Sequence, residues 1–224
     1  MRVIYGDVSA WQENLYAVQD IMLEFLIPEA WPECRIKCAG QKMRENEVTG
    51  FFVKELRTAK RNLKKINFEH VHFHIHPTTQ VNPGEEDTGY PDIYITPWED
   101  DEEIYLAYEC KWLETRANDI GKFCGNEGIG RFVHGKYASQ VPVGGMIGYV
   151  FSASVQNAEN KICKYMKNHT LPIPVPHATQ RHGMRVLRSV HQRAGSLGRI
   201  ELTHVLLPYL NPPEEIACSD GWLS

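Results

Sequence analysis

The sequence predicts an α/β protein in which a mixed central β-sheet is flanked by helices. Short segments rich in β-branched and aromatic residues indicate strands, and longer segments with apolar residues at helical spacing indicate helices. The two kinds of segment follow one another along the chain, which is typical of layered α/β proteins. With 224 residues and no convincing linker or internal repeat, the chain is expected to form a single domain over residues 1–224.

Helical periodicity predicts three main helices. The first covers residues 11–27, and the two prolines of the following stretch PEAWPE are expected to end it. The second covers about residues 42–65 and the third begins at Ser154, a favourable N-cap residue. A further helix is expected around residues 126–139. The apolar stripe of the second helix consists of Val48, Phe52, Leu56, Ala59 and Leu63.

Alternation with a period of two predicts the strands. EHVHFHIHP (69–77) places four histidines, His70, His72, His74 and His76, on one face. YPDIYITP (90–97) and EIYLAYECKWL (103–113) indicate a hairpin, and VGGMIGYVFS (143–152) indicates a buried strand. MRVLRSVHQR (184–193) and GRIELTHVLLPYL (198–210) predict a C-terminal hairpin.

A pair of charges interrupts the otherwise apolar strand at residues 103–113. Glu109 and Lys111 point to the same face, about 6.5 to 7 Å apart along the strand. A buried charge is costly unless it is paired or binds a metal. The sequence leaves the register of the hairpin open: with Asp92 opposite Glu109 the three side chains converge, whereas a slip of one residue turns Asp92 away. Two converging carboxylates favour a hard cation such as Mg²⁺ or Mn²⁺ between them.

These residues resemble a known motif. Pro91 and Asp92, followed on the adjacent strand by Glu109, Cys110 and Lys111, resemble the PD-(D/E)xK signature of restriction-endonuclease-like nucleases. The resemblance covers about residues 42–152 and implies a restriction-endonuclease-like core, to which the C-terminal hairpin would be an addition. It further implies a divalent-metal-dependent nuclease, with DNA endonuclease activity in a defence or restriction system as the expected role.

The resemblance also implies a role for each residue of the motif. Asp92, Glu109 and the backbone carbonyl of Cys110 would hold Mg²⁺ or Mn²⁺, and Lys111 would orient or help deprotonate the attacking water. The superfamily commonly carries one more glutamate on the preceding helix, where Glu45 and Glu47 are both candidates. Glu45 shares a helix face with the apolar stripe and is favoured, although both glutamates also suit the first turn of a helix.

A glycine-rich segment after the motif predicts contacts with nucleic acid. Lys122, Arg131 and Lys136 lie among glycines that allow a phosphate chain to approach closely. The net charge of −4 provides no general attraction for nucleic acid, so such binding has to be local. No specificity domain is recognisable, which predicts a targeting partner protein or a homo-oligomer. GIGRF (128–132) lacks the lysine and hydroxyl residue of a phosphate-binding P-loop.

Other functions stay open at this point. The Asp–Glu–Lys group could be a structural ion network in a non-catalytic subunit that binds nucleic acid or protein. The His70–His76 strand could instead hold zinc, and so could CRIKC at residues 34–38. The six cysteines are expected to be reduced thiols. The N-terminal stretch MRVIYGDVSAWQ lacks a continuous apolar core, which predicts a cytoplasmic protein that does not bind membranes.

Overall fold

The computed structural model describes residues 8–39, 41, 43–63, 72–75, 90–96, 105–114, 117–137, 139–151, 154–177, 181–193 and 195–209. Six α-helices lie in these ranges: α1 (Val8–Ile21), α2 (Ile27–Cys38), α3 (Glu45–Asn62), α4 (Ala117–Cys124), α5 (Ile129–Val133) and α6 (Val155–Asn168). The strands of the same ranges are β1 (His72–Ile75), β2 (Ile93–Thr96), β3 (Leu106–Leu113), β4 (Val143–Val150), β5 (Val175–Pro176), β6 (Arg185–Gln192) and β7 (Arg199–Pro208).

The seven described strands form one mixed sheet in the order β1-β2-β3-β4-β7-β6-β5. The three central strands β3, β4 and β7 are parallel, and antiparallel hairpin strands complete both sides. This arrangement confirms the predicted α/β class with a mixed central sheet flanked by helices. The parallel centre explains why β4 is buried along its whole length, because helices cover both of its faces.

Different helices cover the two faces of the sheet. On one face, Trp31 of α2 stacks on Tyr149 of β4 with ring centroids 5.5 Å apart, and Thr49 of α3 hydrogen-bonds the Tyr149 hydroxyl. On the other face, Phe123 of α4 contacts His204 of β7 at 5.9 Å. We call these the α3 face and the α4 face. Residues alternate between them along each strand.

The first helical region is longer than the sequence predicts. The prolines were expected to end the helix before PEAWPE, but a π-helical turn at Met22–Leu26 leads directly into α2, which contains Pro28 in its first turn and Pro32 inside the helix. The expectation was therefore wrong. Because the helical backbone continues from the π-helical turn into α2, both prolines lie within helical chain, where each removes a backbone donor. For Pro32 the compensation is tertiary, because α2 buries Trp31 and Cys34 completely against the sheet.

The region between β3 and β4 also differs from its prediction. Instead of one helix around 126–139, the chain forms α4 and the short α5, joined by a turn at glycines. The α4 helix was missed because its eight residues are too few for a clear apolar period. The helices α3 and α6 lie close to their predicted positions, and the Ser154 hydroxyl accepts a hydrogen bond from the Asn157 backbone N–H as an N-cap.

The C-terminal hairpin is confirmed, since β6 and β7 pair in antiparallel orientation. It is not a peripheral addition, however, because β7 also pairs in parallel with β4 at the centre of the sheet. Its residues Leu202, Val205 and Leu206 are fully buried there. None of the helices within the described ranges is both long and apolar enough to cross a lipid bilayer.

Candidate active site at the end of the β2–β3 hairpin

The hairpin register decides the position of Asp92. Ile93 pairs with Tyr108 and Ile95 with Leu106, and the same register continued by one residue sets Asp92 opposite Glu109. This is the alternative that brings the motif residues together. The Asp92 Oδ2 atom accepts a hydrogen bond of 2.7 Å from the Cys110 backbone N–H. Asp92 therefore lies directly before β2, where the pairing between β2 and β3 ends.

Beyond this point, carboxylates take the place of the missing strand partner of β3. The Cys110 N–H donates to Asp92, and the Trp112 N–H donates to Glu45 Oε2 at 2.6 Å. Within a strand, the N–H and C=O of one residue point to the same side. The carbonyl of Cys110 therefore faces the same gap as its N–H, on the side occupied by Asp92 and Glu45.

Lys111 connects the carboxylates of the cluster. Its Nζ atom lies 2.7 Å from Glu109 Oε1 and 3.7 Å from Glu45 Oε1. The Lys111 side chain is 13% exposed, so part of it reaches solvent. Burial by itself would lower the pKa of Lys111, but the negative charges of Glu109, Asp92 and Glu45 outweigh it and raise the pKa to about 12. Lys111 is therefore firmly protonated in this arrangement.

Glu109 is the most perturbed carboxyl of the cluster. Its side chain is 2% exposed, and this burial, together with repulsion from Asp92, raises its pKa to about 7 against the attraction of Lys111 and Arg131. Its Oε2 atom is buried, and no group of the described residues donates a hydrogen bond to it. A buried oxygen without a partner is costly. The site thus has an oxygen atom for which a cation would be a favourable partner.

The structure distinguishes Glu45 from Glu47. Glu45 reaches Trp112 and Lys111 and is part of the cluster, and its burial raises its pKa despite the nearby Lys111 ammonium group. Glu47 instead accepts a hydrogen bond of 2.6 Å from the Arg44 backbone N–H, as a capping residue at the start of α3. Of the two sequence candidates, only Glu45 contacts the motif residues.

Arg131 also contacts the cluster, from the α4 face. Its Nε atom lies 3.7 Å from Glu109 Oε1, and its guanidinium group donates a hydrogen bond to the Tyr137 hydroxyl. Tyr137 is fully buried and packs edge-on against Phe132, so both rings belong to the core. The Arg131–Tyr137 pair has no sequence signature, because α5 ends at Val133 and the two residues share no helix face.

The other two predicted nucleic-acid contacts, Lys122 and Lys136, are exposed. Lys122 is exposed on α4, and its Nζ atom is 4.0 Å from Glu127 Oε2. Lys136 is exposed in the turn after α5. Of the three predicted basic residues, Arg131 contacts a motif residue, Glu109.

The side chains of the cluster supply only some of the oxygen ligands that a hard divalent ion takes. Within the described ranges, no three His, Cys, Asp or Glu side chains are grouped closely enough to hold a metal. Asp92 and Glu109 provide two carboxylates, and the Cys110 carbonyl provides a third oxygen on the same side of β3. Oxygen atoms of this kind are the ligands that Mg²⁺ and Mn²⁺ prefer. These oxygen atoms are of the chemical type that such an ion takes, and Lys111 occupies the position beside Glu109 Oε1.

The two zinc alternatives receive little support from geometry. His72 and His74 have ring centroids 6.5 Å apart, and His74 hydrogen-bonds Thr96, while His70 and His76 lie outside the described residues. In CRIKC, the Cys34 and Cys38 sulfur atoms are 4.0 Å apart and buried within the core. All five described cysteines are free thiols, as predicted; the sixth, at position 218, lies outside the described residues.

Comparisons of the chain with protein-family models, with curated proteins and with solved structures find no match. The site itself consists of Glu45, Asp92, Glu109, Lys111 and Arg131. Three carboxylates and two cations thus surround the point where β3 loses its strand partner. Such a cluster can bind a cation or a phosphate, because it contains groups of both charges where the described part of β2 stops pairing with β3.

Proposed function

We propose that the chain is a divalent-metal-dependent nuclease that hydrolyses phosphodiester bonds in DNA as an endonuclease, with a restriction-endonuclease-like core. The observation that carries the proposal is the convergence of Asp92, Glu109 and Lys111 at the end of the β2–β3 hairpin. Their order and spacing resemble the PD-(D/E)xK motif. A role in defence or restriction, with targeting by a partner protein or a second copy of the chain, belongs to the same proposal.

The carboxylates account for metal binding in this proposal. Asp92, Glu109 and the Cys110 carbonyl would hold Mg²⁺ or Mn²⁺, which would polarise the scissile phosphate and lower the pKa of a bound water. Burial and repulsion from Asp92 raise the pKa of Glu109, so Glu109 is only partly ionised near neutral pH. A positive charge between the two carboxylates favours their ionised forms. We therefore expect ion binding to release a proton from Glu109.

The cations account for phosphate binding. The raised pKa of Lys111 means that its ammonium group donates hydrogen bonds and does not act as a base while the carboxylates surround it. It would therefore orient the attacking water and offset the negative charge that builds up on the phosphate. Arg131 provides a second cation beside Glu109 and would contribute to the same electrostatic stabilisation.

A non-catalytic interaction subunit is the second candidate function. The short Lys111–Glu109 contact and the nearby Arg131 favour it, because paired charges can stabilise one another without any ion or substrate. In that case the cluster would order the end of the hairpin and the nucleic-acid or protein contacts would lie elsewhere. The two candidates differ in whether loss of Lys111 abolishes cleavage.

The test is cleavage of supercoiled plasmid DNA by the purified protein in the presence of Mg²⁺ or Mn²⁺. Lys111→Met should reduce the rate about a hundredfold or more, since it removes a charge that acts on the transition state. Lys167→Met is the matched control and should cleave normally, because Lys167 is exposed in the last turn of α6. Circular dichroism and thermal unfolding establish that each variant is folded.

A second matched pair uses the two glutamates of α3. Glu45→Gln should slow cleavage, because it removes a negative charge 3.7 Å from Lys111, whereas Glu47→Gln changes only the helix cap. Mg²⁺ or Mn²⁺ should also raise the Tm of the wild-type protein but not that of Glu109→Gln. Equal cleavage by the wild-type protein and Lys111→Met would refute the nuclease proposal. So would a folded wild-type protein that shows neither cleavage nor a metal-dependent Tm shift.

A further inference from the structure

A row of aromatic rings extends from the candidate active site across the end of the sheet. His74 of β1 stacks on Tyr94 of β2 with ring centroids 4.6 Å apart and an interplanar angle of 10°. Tyr94 contacts the edge of Tyr105 at 6.0 Å, and His72 lies 6.5 Å from His74. We call these four side chains, His72, His74, Tyr94 and Tyr105, the ring row.

The ring row lies on the same face of the sheet as Glu109. Tyr94 pairs with Ala107, and Ala107 and Glu109 are two positions apart on β3, so their side chains point to the same side. Tyr94 is also two positions from Asp92, which is about 6.5 to 7 Å along an extended strand. The rings therefore begin within one nucleotide's reach of the carboxylates.

The opposite face of these strands is the one that builds the core. Phe73, Ile93 and Ile95 are buried there, and Arg57 of α3 donates a hydrogen bond of 2.6 Å to the Phe73 carbonyl oxygen. The ring row is different, because each of its four residues keeps part of its surface exposed.

We propose that the ring row binds unpaired nucleobases, so that the substrate of the candidate active site is single-stranded DNA or an unpaired segment within duplex DNA. The inference rests on the proposed function and names its substrate class. Aromatic rings bind single strands without regard to sequence, because every base has a π-face. In a duplex the bases are already stacked and paired, so they cannot stack on a protein surface without being extruded.

The two cations of the cluster, unlike its three carboxylates, suit the backbone of the same strand. Lys111 and Arg131 lie on the Glu109 side of the row, and Lys111 is partly exposed. A strand whose bases add to the His74–Tyr94 stack would bring an adjacent phosphate towards these cations. In this proposal the ring row stacks on an unpaired base, and the cations of the cluster bind a phosphate of the same strand.

The test measures binding without cleavage. Fluorescence anisotropy of a fluorescein-labelled oligothymidine is recorded in EDTA, beside a DNA duplex and an oligouridine of the same length. The wild-type protein should bind oligothymidine most tightly. Tyr94→Ala and His74→Ala should each raise Kd at least about fivefold, as expected from the loss of one base-stacking contact.

The chain offers matched controls for both ring variants. His169, the residue after α6, stacks on Tyr165 at 3.8 Å, so His169→Ala removes a histidine from an equivalent stack elsewhere and should leave Kd unchanged. Tyr94→Phe keeps the ring and should recover most of the affinity that Tyr94→Ala loses. Thermal unfolding confirms that the variants are folded.

Tighter binding of the duplex or of oligouridine, or unchanged binding by a folded Tyr94→Ala, would overturn the inference. Its failure is distinguishable from failure of the proposed function. If plasmid cleavage depends on Lys111 but the ring variants bind normally, only the ring row is refuted. If the ring variants lose binding but the wild-type protein cleaves no DNA, the ring row is supported and the nuclease is refuted.

Discussion

Glu109 provides the most direct test of the electrostatics of the site. Replacing Glu109 with glutamine removes an ionisable carboxyl but keeps its size and its ability to accept a hydrogen bond from Lys111. Burial and Asp92 raise the pKa of Glu109 from an ordinary value of 4.5 to about 7. The folded state therefore favours the neutral carboxyl. Its contribution to stability is fully present below about pH 4.5 and is lost as the pH rises through about 7.

The expected stability difference between Glu109→Gln and wild type follows from the pKa shift of Glu109. The difference between 4.5 and about 7 corresponds to roughly 3 kcal/mol of unfolding free energy. Glu109→Gln should therefore be more stable than wild type well above pH 7, by up to about this amount, and the advantage should vanish near pH 4.5. The value is an upper limit, because Lys111 loses one of its three negative neighbours in the variant.

Urea unfolding monitored by tryptophan fluorescence, in EDTA and across this pH range, measures the difference. Glu159→Gln is the contrasting control, since it leaves Arg185 without the carboxylate that now lies 2.7 Å away. It should lower stability, because breaking a buried pair leaves a charge uncompensated. A Glu109→Gln variant that is less stable than wild type above pH 7, or whose advantage is independent of pH, would refute the assignment of a strained carboxyl.

Two further predictions concern the core and the acid side of the pH range. Gly145→Ala should lower the free energy of unfolding by about 1 to 3 kcal/mol, because the added Cβ would overlap the ring of Tyr108. The added Cβ of Gly50→Ala meets no atom within 4 Å, so this control should not destabilise the protein. Thermal unfolding of the two variants measures the difference. Burial lowers the pKa of His191 to about 4 and of His204 to about 3, so stability present above pH 6.5 is lost as the pH falls towards 4. His191→Gln should flatten this loss, and an unchanged pH profile in urea unfolding would contradict the explanation.

Local sequence patterns were sufficient to predict features that depend on a single helix or strand. The stripe of Val48, Phe52 and Leu56 predicted α3, and these residues are fully buried in the structure. Alternation likewise placed Glu109 and Lys111 on one face of β3, and they are in direct contact. Both predictions depend only on the repeat of a single helix or strand.

The choice between Glu45 and Glu47 shows where local patterns become insufficient. Both lie in the first turn of α3, and each accepts a backbone hydrogen bond. They differ because the Trp112 N–H, which lies far away in the sequence, has no strand partner and points at Glu45. The role of Arg131 beside Glu109 likewise depends on how the segment after α4 packs on the sheet.

By itself, the sequence determined the class of the fold, most of its helices and strands, and the residue types that meet at the hairpin, because these depend on short repeats and on neighbouring strands. Only the tertiary structure decided the hairpin register, the passage of the first helix through Pro28 and Pro32, and the position of β7 beside β4. The physical reason is that each of these outcomes depends on burial against residues far away in the chain. A short window of sequence contains no information about such contacts.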